Sequence, residues 1–147
     1  MAALVIPGVG ERVGRMYQRV VTFGVSGESP DVNVTSQAVW PVININEANV
    51  MVHKLERQVV VAFDTTVITI GDTDDADGYW TDTLFGHTTA GVFDECSGAA
   101  YEAGRLYTSS QAINVTIGTA DHTTGKAKLR ITYSRGADTD LAPAASS

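Results

Sequence analysis

The sequence predicts an all-β protein: a single-domain β-sandwich or small, jelly-roll-like barrel of about seven or eight strands, with an extended arm at each end. Three observations predict it. Apolar residues recur with a period of two wherever a period is legible, β-branched residues crowd the same segments, and no stretch sustains the 3.6-residue period of a helix. The turn signals between these segments suit a sandwich or barrel. With 147 residues the chain is long enough for one domain that buries about two-thirds of its unfolded surface without metal or disulfide staples.

The elements follow in order. Residues 1–15 are apolar with interspersed glycines and Pro7, and read as an N-terminal arm. The domain spans 16–136. In MYQRVVTFGV, positions 16–25, Tyr17, Val21, Phe23 and Val25 share one face of a strand. AVWPVINI at 38–45 is rich in β formers but contains Pro41, which donates no ladder hydrogen bond and so predicts an edge strand or a bulge. VMVHKL at 50–55 and QVVVAF at 58–63 predict two strands or one bent one, and TTVITI at 65–70 predicts another. From Asp82 to Gly104 the period fades, which predicts a long loop with a helical turn near SGAAYEAGR. AINVTIG and KAKLRITYS alternate cleanly, with Ile113, Val115 and Ile117 in the first and Ala127, Leu129, Ile131 and Tyr133 in the second. The polar TADHTTG between them predicts a hairpin with a longer loop. Residues 137–147 have the small, polar, proline-containing character of a tail.

Charge narrows the function. A net charge of −7 lacks the basic footprint that binding to nucleic acid requires. The distribution is more informative. Between Gln58 and Gly104 there is no lysine or arginine but nine acids, whereas the bases gather at Arg12, Arg15 and Arg19, at Lys54 and Arg57, at Arg105, and from Lys126 to Arg135. One acidic and one basic region suit pairing with copies of the chain or with a charged neighbour. The single cysteine, Cys96, makes no intrachain disulfide. The start has no basic leader, and no apolar run approaches the roughly 20 residues that span a bilayer, so a soluble, unexported chain is expected.

Chemistry is sparse. GDTDDADGY at 71–79 carries Asp72, Asp74, Asp75 and Asp77. An EF-hand needs oxygen ligands at positions 1, 3 and 5, glycine at 6 and glutamate at 12. A register from Asp72 places Asp77 where glycine belongs, and one from Thr73 ends on Leu84 instead of glutamate. A calcium site of another kind stays open at these four aspartates. The alternative is a charged turn, since aspartate bonds its own backbone and Gly78 tolerates positive φ. On an open loop all four carboxylates would be ionised, unlike the acid and base pair of a glycosidase. His53, His87 and His122 lack metal-ligand spacing, FGVSGE around Ser26 lacks the second glycine of a nucleophile elbow, and the acids before Cys96 raise rather than lower a thiol pKa. The sequence therefore predicts no catalytic residue, no cofactor and no enzyme.

A β-rich domain bearing VVVAFDTTVITIGDTDDADGY at its middle and GKAKLRITYS near its end, between extended arms, resembles the small structural proteins of tailed bacteriophages, especially capsid decoration or cement proteins. The resemblance spans about residues 16–135 and is one of style. It implies a chain made in the host cytoplasm that binds the outer surface of the virion shell, often as a homotrimer, and stabilises contacts between subunits of the major capsid protein. It implies no nucleic-acid or membrane partner. On that reading Leu4, Val5 and Ile6 with Arg12, Arg15 and Arg19 form a docking arm. The competing reading is a carbohydrate- or receptor-binding sandwich of a phage fibre, which needs an exposed aromatic platform from Trp40, Tyr79 and Trp80. A tail or connector protein is the third.

Overall fold

Alternating apolar residues become the shared core of two sheets. The computed structural model describes residues 3–6, 16–34, 36, 38–64, 67–81, 90–91, 94–95, 98–118 and 123–136. Among these are ten strands: β1 (Leu4–Ile6), β2 (Tyr17–Gly24), β3 (Val32–Asn33), β4 (Val39–Ile45), β5 (Val50–Val61), β6 (Val67–Gly71), β7 (Asp94–Glu95), β8 (Arg105–Tyr107), β9 (Gln111–Gly118) and β10 (Lys126–Arg135). A 3-10 turn stands at Ser26–Glu28, and among the described residues no helix is long and apolar enough to cross a membrane. The fold is all-β, as the sequence predicts.

One sheet runs β1-β4-β9-β6; the other runs β3-β2-β10-β5, with β7 and β8 on the far edge of β5. Side chains alternate across each strand. Ile113, Val115 and Ile117 from β9 therefore meet Ala127, Leu129, Ile131 and Tyr133 from β10 in one buried cluster with Phe23, Val52, Leu55 and Ile70.

The long apolar segment from Val50 is one strand. It stays paired with β10 throughout, with register shifts at Lys126/Ala127 and at Thr132/Tyr133. Such bulges add twist and curl a sheet around its core. Pro41 also behaves as its chemistry demands. The register of β4 against β9 shifts between Pro41 and Ile43, and on the other side β1 pairs only with Ile43–Ile45, so no ladder bond is asked of the proline.

One expectation fails. β9 and β10 form no hairpin: β9 lies between β4 and β6, whereas β10 lies between β2 and β5 in the opposite sheet. Alternation establishes that each strand has one buried face but not which sheet it joins. The connection is also longer than the two to five residues that fix a tight hairpin. Its end is anchored elsewhere. The carboxylate of Asp64, just past β5, accepts from the Thr123 amide (2.9 Å), the Thr123 hydroxyl (2.7 Å) and the Thr124 amide (3.1 Å). Gly125 follows with φ +140, and a Cβ there would lie 2.1 Å from the Phe63 ring. The chain thus enters β10 already held against β5.

Candidate functional site

The aspartate turn is where charge, aromatic rings and both sheets converge. It leaves the end of β6 and returns at once, because the amides of Tyr79 and Trp80 both donate to the Ile70 carbonyl (2.9 and 3.0 Å) and the Ile70 amide donates to Trp80. Inside the turn the amides of Asp72 and Gly78 both donate to the Asp75 carbonyl. Asp72 does what a turn aspartate does: its Oδ1 accepts from the amides of Asp74 (2.9 Å) and Asp75 (3.0 Å).

Asp72 departs from the open, hydrated loop that the sequence suggests. Its side chain is fully buried, and a buried carboxylate needs partners for every lone pair. Two come from β8 and the turn preceding it. The Tyr101 hydroxyl donates to Oδ1 at 3.0 Å, and Arg105 Nε donates to Oδ2 at 3.3 Å. Arg105 also donates through Nη2 to Asp74 at 2.6 Å, while its guanidinium lies over the rings of Tyr101 and Tyr107. Below it the hydroxyls of Tyr79 and Tyr107 hydrogen-bond at 2.9 Å, and Tyr79 meets Tyr101 edge to face. Tyr79 belongs to the turn after β6, and Tyr107 to β8 of the other sheet. The cluster therefore ties the two sheets together.

Glycine is required at the centre. A Cβ on Gly78 would sit 2.3 Å from the Tyr101 ring, whose amide donates to the Gly78 carbonyl at 2.7 Å.

Electrostatics favour a fixed cluster. Burial, and then the hydrogen bond given to Asp72, push the Tyr101 phenol up to about 12. Burial pushes Tyr79 and Tyr107 higher still. Burial alone would lower the pKa of Arg105, but the negative charge of Asp72 and its tyrosine neighbours carry it upward. Asp77 is raised through its hydrogen bond and charge contact with Asp75. The three phenols and the guanidinium are therefore held in their protonated forms at neutral pH.

As for calcium, Asp72 and Asp74 share the guanidinium of Arg105, so a cation already occupies the space between them. Among the described residues no group of three or more His, Cys, Asp or Glu is arranged to hold a metal ion. Excess chelator is therefore expected to leave Tm where added calcium leaves it.

The remaining candidates are dispersed. His53 Nε2 hydrogen-bonds Ser134 Oγ at 2.8 Å across β5 and β10, an ordinary cross-strand contact. His87, His122 and Cys96 lie outside the described residues, as do Arg12 and Arg15. Leu4–Ile6 pairs in parallel with Ile43–Ile45 of β4. Arg19 is exposed on β2 opposite Ile131. Of the aromatic platform that a glycan-binding face needs, Tyr79 and Trp80 are buried and Trp40 is half-buried, with its indole N–H donated to the Ser36 carbonyl.

Sequence reasoning missed Tyr101, Arg105 and Tyr107. Arg105 is the first base after the long acidic stretch, which is the one signal that points to a partner for those acids.

A second charged feature is the outer face of the six-stranded sheet. Lys126, Lys128 and Arg130 alternate with the buried Ala127 and Leu129 along β10. Arg130 grips Glu56 of β5 through Nε at 2.9 Å and Nη2 at 3.0 Å. That bidentate bond lowers the Glu56 carboxyl and raises Arg130.

No family model and no curated protein matches the chain. Solved structures do match. A chain of the acid-stable capsid structure of Helicobacter pylori bacteriophage KHP30 aligns at TM-score 0.54 and 16% identity, over 80% of this chain and 86% of that one. A chain of the cyanophage Pam1 capsid asymmetric unit aligns at TM-score 0.54 and 17% identity, over 90% and 92%. A chain of the capsid of Ralstonia phage GP4 aligns at TM-score 0.56 and 9% identity, over 89% and 91%. At these identities the likeness is one of fold, and it extends over most of each chain.

Proposed function

We propose that this protein is a non-enzymatic structural component of a phage virion. It is made in the host cytoplasm, binds the outer surface of the shell as a homotrimer, and strengthens contacts between capsid subunits. The observation that carries the reading is the match of nearly the whole sandwich to chains from three phage capsids. The role needs no active site, only a stiff body with apolar and charged contact surfaces. The Asp72 cluster contributes stiffness by linking the sheets. Leu4, Val5 and Ile6, carried on β1 at the edge of the four-stranded sheet, form the apolar part of the docking surface, and Arg12, Arg15 and Arg19, the last on β2, form its basic part.

The test is cryo-electron microscopy of shells from the encoding phage with this gene intact or deleted. Density lost from the outer shell surface on deletion, with earlier DNA release on heating, is the expected result. Loss of density from a tail or fibre would overturn the capsid assignment. For the arm, a variant lacking residues 1–15 is expected to bind shells more weakly; unchanged decoration would remove the arm from the mechanism.

A further inference from the structure

The outer face of the six-stranded sheet combines apolar exposure with unbalanced positive charge. Val20, opposite Arg130 on β2, is 48% exposed; Leu106, opposite Met51 on β8, is 51% exposed; Met16, just before β2, is 54% exposed. They stand at separate points of the face, Val20 beside Arg130 and Leu106 on the far side of β5 level with Ser134, and supply apolar contacts to whatever the charge attracts. Glu56 is taken by Arg130, which leaves Lys54, Lys126 and Lys128 as positive charge on the face; among the described residues the nearest acids are at its edges, Glu95 on β7 opposite Glu56 and Asp31 just before β3.

The opposite charge stands at the far end of the same molecule. Asp74 and Asp77 are exposed and Asp75 half-exposed on the turn that Asp72 holds rigid, and Glu102 is exposed beside them. These acids are too far away to neutralise Lys126 and Lys128 of their own chain, although Lys54 lies nearer to them. The turn lies by β8, which pairs with β5 at Val50–Val52, where Arg135 ends β10. Lys126 is at the other end of β10, about 30 Å away at ~3.3 Å per residue, several Debye lengths in physiological salt. Asp74 is matched by Arg105 of its own chain, but the complement to Asp75, Asp77 and Glu102 and to the distant Lys126 and Lys128 is carried by every other copy of the chain.

We infer that the basic, apolar-studded outer face of β2, β10 and β5 receives the acidic end of a second copy of the chain. The contact joins two different patches, so it is heterologous, and a closed ring such as a trimer satisfies every face and every end. The acids are presented on a mount fixed by Asp72, Arg105 and Tyr101, which lowers the ordering cost of docking. The crowding that raises Asp77 beside Asp75 is relieved when lysines approach. This inference rests on the proposed trimer and names its contact.

Charge reversal tests it, read by light scattering on the purified protein without shells. Lys126→Glu with Lys128→Glu makes the face acidic; Asp75→Lys with Asp77→Lys makes the end basic. Neither pair removes a side chain bonded to Asp72, and circular dichroism checks folding. The wild-type chain is expected to be oligomeric. Each variant alone is expected to dissociate at about 100-fold higher concentration or more, because like charges then face each other, and an equimolar mixture is expected to recover mixed pairs but no complete trimer, since a closed ring of three always keeps one contact between like variants. An oligomer indifferent to both reversals overturns this contact and leaves the trimer standing. A wild-type monomer up to roughly millimolar concentration overturns the contact and the free trimer together, while shell binding is judged separately by the decoration experiment. If one variant misfolds, Lys54→Glu on the same face replaces it and must weaken association in the same direction.

Discussion

Two aspartates organise two turns, and they do so in different dielectric surroundings. Asp72 is buried, accepts two amides of its own turn, and is completed by a phenol and a guanidinium from the other sheet. Asp64 is exposed and accepts two amides and a hydroxyl from a loop that it holds beside its own strand. The number of bonds is similar, but the consequence of losing them is not. Water can replace the partners of Asp64, whereas nothing replaces those of Asp72. Position rather than hydrogen-bond count decides which carboxylate holds the fold together.

The largest expected effect is therefore at Asp72. Asp72→Ala leaves the Tyr101 hydroxyl, two amides and part of the Arg105 charge without a partner, and should cost about 3–5 kcal/mol in urea unfolding. Asp72→Asn retains an acceptor for the amides and should cost less. A loss below about 1 kcal/mol for the alanine variant would mean that solvent reaches the site, and the contrast with Asp64 would collapse. Pairing it with Arg105→Met in a double-mutant cycle separates the ion pair from the rest of the cluster.

Next comes a test of what makes the Asp64 corner stable. At Gly125 the backbone has φ +140 and a Cβ would strike the Phe63 ring, which itself stacks on Phe23 at 5.8 Å. Gly125→Ala should cost about 2–3 kcal/mol through strain and displaced packing. An effect that large beside a small one at Asp64 would locate the stability of this corner in close packing and backbone conformation. Smaller again is Glu56→Gln on the outer face, where the Arg130 side chain is partly solvated. About 1 kcal/mol is expected, declining with added salt.

The same contrast explains what the sequence discloses. Period-two alternation identifies β9 and β10 and the faces they bury, because side-chain alternation is local. The Asx-turn character of Asp72 is legible for the same reason, since its amide partners are two and three residues away. The pairing of β10 with β5 and β2 is not legible: it depends on where Asp64 and Phe63 seize the loop, about 60 residues distant in sequence. The burial of Asp72 is hidden likewise, because Tyr101 and Arg105 lie 29 and 33 residues away. A run of aspartates reads as hydrated until the chain supplies the cation that buries one of them. Pro41 is the instructive exception. Its missing N–H forces an unpaired ladder position wherever it lies, so the bulge in β4 is predictable without knowing the neighbouring strands.

The smallest effect is at Asp64 itself, and it has a definite pH signature. Its three donors, the Thr123 hydroxyl foremost, hold the carboxyl at about 2, below its ordinary 3.8. A depressed folded-state pKa means that the ionised form is the one the fold favours. The stabilisation is present above pH 3.8 and is lost as pH falls through about 2. Asp64→Asn should therefore lower Tm slightly at pH 7, and the difference from wild type should shrink across that window and vanish near pH 2. Because the group is exposed, solvent screening keeps the effect small throughout. A Tm difference at pH 7 as large as that of Asp72→Ala would contradict the distinction between the two turns. A difference that persists at pH 2 would show that the asparagine disturbs the loop by its shape and not by its charge.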